Sequence, residues 1–310
     1  MRIPGSLFVL ASGAAFGAMA IFGKLAYGEG ATVGTLLVVR FAIAALLLWA
    51  LLLAGGGAAR ELRALGRRDL TVGLALGACG YATQAGLYFL ALQRLDASLL
   101  SLLLYTFPAI VAVAAAVMGR ERLDGRRVAA LVLTSGGLVL VLAGGGAGKL
   151  DALGALLGLG AACVYSTYIL VSDRVVGGVR PRVLSALVCT GAVPALVAGT
   201  AAAGDLRPQE LTAAGWGWLA ALAVVSTVLA ISLFFAGLDR VGPTAASILS
   251  TVEPLTTVLL AFLVFGETLS AVQFAGGTLV VSAVLVLQVR GFPRIARVPA
   301  PAATPTGRSC

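Results

Sequence analysis

Histidine is absent from the 310 residues, and charged side chains account for only 11% of them. The first absence removes His-ligated zinc sites, Ser–His dyads and histidine proton relays. The second excludes an ordinary soluble domain, in which about 25% of residues are charged. Cysteine numbers four: Cys79, Cys163 and Cys189 sit inside apolar runs and Cys310 ends a Pro/Ala-rich tail. That distribution implies small hydrophobes and a free tail thiol, not a disulfide framework. No P-loop, HExxH or paired-Asp pattern occurs, and Gly144-Gly145-Gly146 follows no strand, so it reads as a turn and not a phosphate cradle. Strand-like alternation is missing as well, which argues against an outer-membrane barrel. No metal, cofactor or catalytic group is expected.

What fills the chain is apolar. Hydrophobic residues make up 60%, mean hydropathy is +1.03, and glycine occurs 40 times. Such a chain needs a bilayer as its solvent, where small residues let helix backbones approach closely. Runs near the roughly 20 residues that span a hydrocarbon core fall at 5–27, 32–53, 70–92, 97–118, 127–143, 152–171, 183–203, 214–237, 244–265 and 271–289. The expected fold is an all-α membrane protein with ten transmembrane helices and loops too short for a soluble domain.

The second half repeats the first. Gln93-Arg94-Leu95-Asp96-Ala97-Ser98 aligns with Asp239-Arg240-Val241-Gly242-Pro243-Thr244. In that register Ser101 falls on Ser247, Pro108 on Pro254, Ala115 on Ala261 and Glu121 on Glu267. Gly13-Ala14-Ala15 matches Gly160-Ala161-Ala162 with a shift one residue different. Five helices per half is an odd number, so the two repeats should be inverted relative to each other, as in many secondary transporters.

Placing the N-terminus inside puts Arg60, Arg63, Arg67 and Arg68, then Arg120, Arg122, Arg126 and Arg127, on inner segments, with Arg174, Arg180, Arg182, Arg240 and the arginines of the tail. Outer loops then hold only Arg94, Lys149 and Arg207. This matches the positive-inside rule with both termini cytoplasmic. The net charge of +9 is thereby topological, and no nucleic-acid partner is implied. The first helix resembles a cleavable signal peptide, but removing it would break the repeat and invert the charge pattern, so retention is expected. Residues 290–310, rich in Pro, Ala and Arg, read as a disordered cytoplasmic tail near the anionic inner leaflet. Arginine over lysine, with abundant alanine and glycine, suggests a GC-rich bacterial genome and the inner membrane.

Several segments together resemble the EamA-like members of the drug/metabolite transporter superfamily. They are Val39-Arg40-Phe41, Tyr88-Phe89-Leu90-Ala91-Leu92 ahead of Ala97-Ser98, Pro108 with Gly119-Arg120-Glu121-Arg122-Leu123, Gly237-Leu238-Asp239-Arg240-Val241, Glu253-Pro254 and Gly266-Glu267-Thr268-Leu269. The resemblance covers about 5–289 and implies two five-helix repeats, 1–143 and 152–289. It also implies a carrier of small metabolites, often an exporter of amino acids or related compounds.

Ionisable groups inside a bilayer are costly and point to function. Glu253 sits about mid-helix with Ser250 and Thr257 on the same stripe. It reads either as a protonatable cavity carboxylate that couples transport or as a structural group beside a proline bend. Phe107 occupies its place in the first repeat, so any carboxylate role is asymmetric. Arg40 could neutralise a substrate carboxylate, pair with an internal acid, or snorkel to the outer interface. Lys24 reads as a snorkelling side chain or as part of an outer gate with Glu29 or another acid. Gln84, Tyr105, Tyr165 and Ser166 are candidate polar cavity groups, as are Thr106, Tyr168, Ser226, Thr227 and Ser232, each with interhelical hydrogen bonding as the alternative. Pro108 and Pro254 are matched helix breaks, the sequence pointer to a binding site and to gating. Glu121 and Glu267 read as helix-end features serving folding and topology.

The expectation is a secondary transporter, most often an exporter, of a small polar or amphipathic metabolite, working by alternating access with the bilayer and its solute as partners and with proton coupling through Glu253 as one form. It would act as a monomer or homodimer. The alternatives are an uptake permease and an intramembrane lipid-modifying enzyme. The enzyme is disfavoured because there is no acidic pair, no histidine and no long loop.

Overall fold

A computed structural model describes residues 4–55, 65–118, 125–144, 151–175, 179–242, 246 and 248–288. Glu121, Gly145, Gly146, Pro243, Thr244 and the tail 290–310 lie outside the described residues. Every regular element among the described residues is helical. In chain order they are α1 (Gly5–Gly28), α2 (Val33–Ala54), α3 (Arg67–Ala75, Leu76–Tyr81 and Ala82–Leu92 in succession), α4 (Ala97–Val117) and α5 (Gly125–Ala143). There follow α6 (Ala152–Val175), α7 (Pro181–Ala202), α8 (Ala213–Val241), α9 (Val252–Phe265) and α10 (Ala271–Gln288).

Seven of these, α1, α2 and α4–α8, are long and apolar enough to cross a membrane by length and composition; α9 and α10 are shorter apolar helices. The chain is a multi-pass membrane protein. The helices are apolar on all sides because one face meets other helices and the other meets lipid, and a bilayer leaves no alternative partner for the backbone. Their ends carry ordinary stops. Thr32 and Thr212 accept the N–H groups of Thr35 and Gly215, each at 3.1 Å, as helix N-caps do. Gly266 ends α9 with φ +68°, a left-handed conformation that glycine adopts without a Cβ penalty.

Glycines set the crossings. A Cβ on Gly77 of α3 would lie 2.0 Å from the Val188 carbonyl oxygen of α7, and one on Gly191 would lie 2.1 Å from that of Leu74. α5 and α10 cross at Gly137 and Gly276, where a Cβ on either would come within 2.7 Å of the other's carbonyl oxygen. α1 meets α9 at Gly13 and Gly17. A Cβ on Gly17 would lie 2.6 Å from the Glu253 carbonyl oxygen, and Thr257 Oγ1 donates to the Gly17 carbonyl at 2.9 Å. The substitution Gly17→Leu therefore forces α1 off α9, at about 1–3 kcal/mol for overpacking. Thermal unfolding in detergent should show a clear drop in midpoint. The variant Gly136→Leu, whose added Cβ meets nothing within 4 Å, should leave it unchanged.

Two helices contain a π-helical turn: Leu76–Tyr81 in α3 and Val224–Leu229 in α8. Neither is legible in the amino-acid sequence. Such turns recur at functional sites because they rotate the following helix and re-aim its side chains.

Candidate functional site

α9 starts from a turn at Ser250 and Thr251. Pro254 lacks an N–H, so the Ser250 carbonyl loses its usual partner one turn on. That carbonyl accepts the Tyr105 hydroxyl at 2.9 Å, and the same hydroxyl is 3.1 Å from Glu253 Oε2. α4 has a turn at the matching place, Tyr105 and Thr106, and regular helix restarts at Phe107 with Pro108 in its first turn. The two irregular points meet through this hydroxyl, which sets the Glu253 carboxyl against the α4 turn. Glu253 is half-buried, and no cation lies within ion-pairing distance of it among the described residues.

Arg40 is 2% exposed. Its Nε donates to Thr227 Oγ1 at 3.0 Å, and its guanidinium lies over the rings of Phe41 and Phe89 at 5.2 and 5.5 Å from their centroids. Thr227 belongs to the π-helical turn of α8. Tyr81, the last residue of the one in α3, packs edge-on against Phe41 at 5.3 Å. The two π-helical turns thus converge on Arg40. This corrects the snorkelling alternative, since the side chain is enclosed by protein and does not reach for the interface. No internal acid pairs with it either: among the described residues no carboxylate lies within ion-pairing distance of Arg40.

Both charged groups line one cavity of about 880 Å³. Gln84, Tyr105, Tyr165, Pro108 and Ser250 line it as well. Ser166 does not belong with them. Its hydroxyl is buried behind the wall, donating to the Ala162 carbonyl at 2.7 Å and lying 3.2 Å from that of Phe107, so it ties α6 to α4. Pro254 is buried at the α9 turn and shapes the site through the Ser250 carbonyl. Tyr81 and Tyr88 also line the cavity, and sequence reasoning missed them because an aromatic in an apolar run is equally at home facing lipid. The pairing of each with its π-helical or buried neighbour has no counterpart in the one-dimensional pattern.

The cavity extends to Arg126 and Arg127 at the start of α5 and to Leu287 near the end of α10. The opposite end is tied shut. Lys24 Nζ lies 2.7 Å from Glu267 Oε1 and 3.6 Å from Asp96 Oδ1. Glu267, following the end of α9, accepts the N–H groups of Ala97 and Ser98 at 3.1 Å and the Ser98 hydroxyl at 3.0 Å. One carboxylate therefore caps α4 and ties it to α1. Burial works against its ionisation, but the hydrogen bonds from Lys24, Ser98 and Ala97 and the Lys24 charge outweigh it and keep the carboxyl below its ordinary range. Lys24 is thus an ion-pair partner and does not snorkel. Glu29 is engaged elsewhere, by the Thr212 hydroxyl.

A cavity that carries Arg40, Gln84 and Glu253 among aromatic and aliphatic side chains, reaching one end of an apolar helical bundle and tied at the other, fits a membrane transporter. The comparisons with known proteins agree. The EamA-like transporter family model matches the chain twice, over residues 3–143 and 152–289, and the chain belongs to that family. It is 28% identical to the uncharacterized transporter YcbK of Bacillus subtilis over 88% of both chains. It is 31% identical to an uncharacterized transporter of Archaeoglobus fulgidus, over 73% of this chain and 78% of that one. The threonine/homoserine exporter RhtA of Salmonella typhimurium is 28% identical over 74% of each. A solved crystal structure shares the fold with a TM-score of 0.60, 20% identity and coverage of 91% of this chain and 96% of that one.

Proposed function

We propose that this chain is an exporter of small zwitterionic, amino-acid-like metabolites that works by alternating access between two inverted five-helix repeats. The observation that carries the substrate class is a pair of ionisable groups in one cavity: among the described residues, Arg40 has no acid and Glu253 no base within ion-pairing distance. A buried charge is tolerated when it is paired or neutralised, and a ligand bearing a carboxylate and an ammonium offers a partner of the right sign to each. The relative named as a threonine/homoserine exporter fits that class and the outward direction. An uptake permease would use the same site with the flux reversed.

The inverted architecture is supported by the pairing of helices: α1 packs against α8 and α9, and α6 packs against α3 and α4. The arginine-rich ends, taken as cytoplasmic under the positive-inside rule, are the ends the cavity reaches. In this orientation the site faces inward, Lys24, Asp96 and Glu267 close the outer side, and the bacterial inner membrane is the setting. Rocking the repeats would open the outer side while closing the inner one.

Glu253 would supply the coupling. A single carboxylate can take a proton or a substrate ammonium but not both, and that exclusion makes an antiporter: a proton entering from outside displaces the zwitterion, and the zwitterion loaded inside displaces the proton. In proteoliposomes with an imposed pH gradient, wild type should drive substrate against its concentration. The variant Glu253→Gln should lose that accumulation while keeping at most a slow, pH-independent exchange. Full pH-driven accumulation by Glu253→Gln would show that coupling lies elsewhere.

A further inference from the structure

Between the two charges runs an unbroken file of aromatic rings. Tyr105, which holds Glu253, packs edge-on to Phe107 at 5.9 Å, and Phe107 to Tyr165 at 4.8 Å. Tyr165 lies near-parallel to Tyr168 at 6.3 Å, Tyr168 lies 5.8 Å from Tyr81, and Tyr81 abuts Phe41 beneath Arg40. The two end rings, Tyr105 and Phe41, are buried, whereas Tyr81, Phe107, Tyr165 and Tyr168 are only partly covered and line the cavity. Exposed ring surface facing a cavity is apolar area left uncovered, and another ring covers it best through offset or edge contacts.

We infer that the cavity selects zwitterions whose side chain is aromatic, seated on the Phe107–Tyr165–Tyr168–Tyr81 wall with the carboxylate toward Arg40 and the ammonium toward Glu253. This rests on the transport of zwitterions proposed above and narrows it. A small hydroxylated side chain would reach the two charges but leave the wall uncovered, so it binds more weakly. Phe107 takes on a role here as well. It stands where the second repeat has Glu253, so one repeat supplies the charge and the other the apolar surface at equivalent positions.

The test is counterflow in proteoliposomes of the purified full chain, with labelled phenylalanine, threonine and alanine run in parallel. Wild type should exchange phenylalanine with a half-saturation concentration on the order of tenfold below that for threonine or alanine. Tyr165→Ala should bring the three within about twofold of each other by weakening phenylalanine alone, and Tyr165→Phe, which keeps the ring and drops the hydroxyl, should retain the preference. Equal or stronger exchange of threonine and alanine by wild type overturns the inference, as does a Tyr165→Ala effect that is the same for all three. Those results leave the transport of zwitterions standing. No exchange of any of the three overturns both together.

Discussion

Arg40→Ala is expected to weaken exchange of any carboxylate-bearing substrate by about 10- to 100-fold, the worth of a buried hydrogen bond to a charged group. The same change should not destabilise the fold. Among the described residues no acid pairs with Arg40 to be stranded, and Thr227 keeps its own bond to the Leu222 carbonyl at 3.2 Å. Removing an unpaired buried cation lowers a desolvation cost, so the unfolding midpoint should hold or rise while transport falls. A structural arginine would give the opposite pattern, with stability and transport lost together. Arg40→Lys should recover only part of the activity, since a lysine has neither the Nε donor that reaches Thr227 nor a planar group to lie over Phe41 and Phe89. Amines lacking a carboxylate should be indifferent to either change. Equal losses for amines and amino acids would remove Arg40 from the carboxylate site.

The parts of this molecule that were legible in the sequence are those the bilayer enforces. Apolar runs could be read because every residue in a span must be tolerable to lipid or to another helix, and seven of the helices among the described residues meet the length and hydropathy of a span outright. Arg40 and Glu253 stood out because charge within such a run is rare. Which way a helix faces was not legible. Lipid and helix interior are equally apolar, so the runs carry no stripe that would place Tyr81 and Tyr88 in the cavity or Ser166 behind its wall. The π-helical turns leave no mark in Leu-Gly-Ala-Cys-Gly-Tyr or Val-Val-Ser-Thr-Val-Leu, because each arises from how its helix is packed and not from residue preference. Glu267 was legible as a helix-end residue, but not which helix it serves. Its helix-end character is real, but the helix it caps begins at Ala97, 170 residues away in sequence.

That long-range cap leads to the second large effect. Glu267 gathers Lys24 and the first turn of α4 on the side away from the open end of the cavity, and under the alternating access proposed above these bonds break when that side opens. Charge-assisted bonds of this kind are worth about 1.5–3 kcal/mol each, and losing about 3 kcal/mol shifts a two-state balance by more than a hundredfold. Glu267→Ala should therefore populate an outward-open state. The measurement is labelling of a Met19→Cys probe, on the cavity side of the latch, by a membrane-impermeant thiol reagent added outside, in a chain whose four cysteines are replaced. Labelling should quicken at least tenfold in Glu267→Ala and in Lys24→Ala, and the double variant should add little to either because both remove the same contact. Lys24→Arg should keep the slow rate. The pH behaviour follows from the sign of the shift. A carboxyl held below its ordinary range contributes its full stabilisation above that range and loses it only as pH falls through the lowered value. The latch should thus hold unchanged between about pH 5 and 8, and labelling of the otherwise wild-type probe should not vary there. A steep pH dependence of transport in that window would then point to the cavity, where among the described residues no cation pairs with Glu253, and a wild-type chain whose outer side opens at mild acidity would transfer the coupling from Glu253 to the gate.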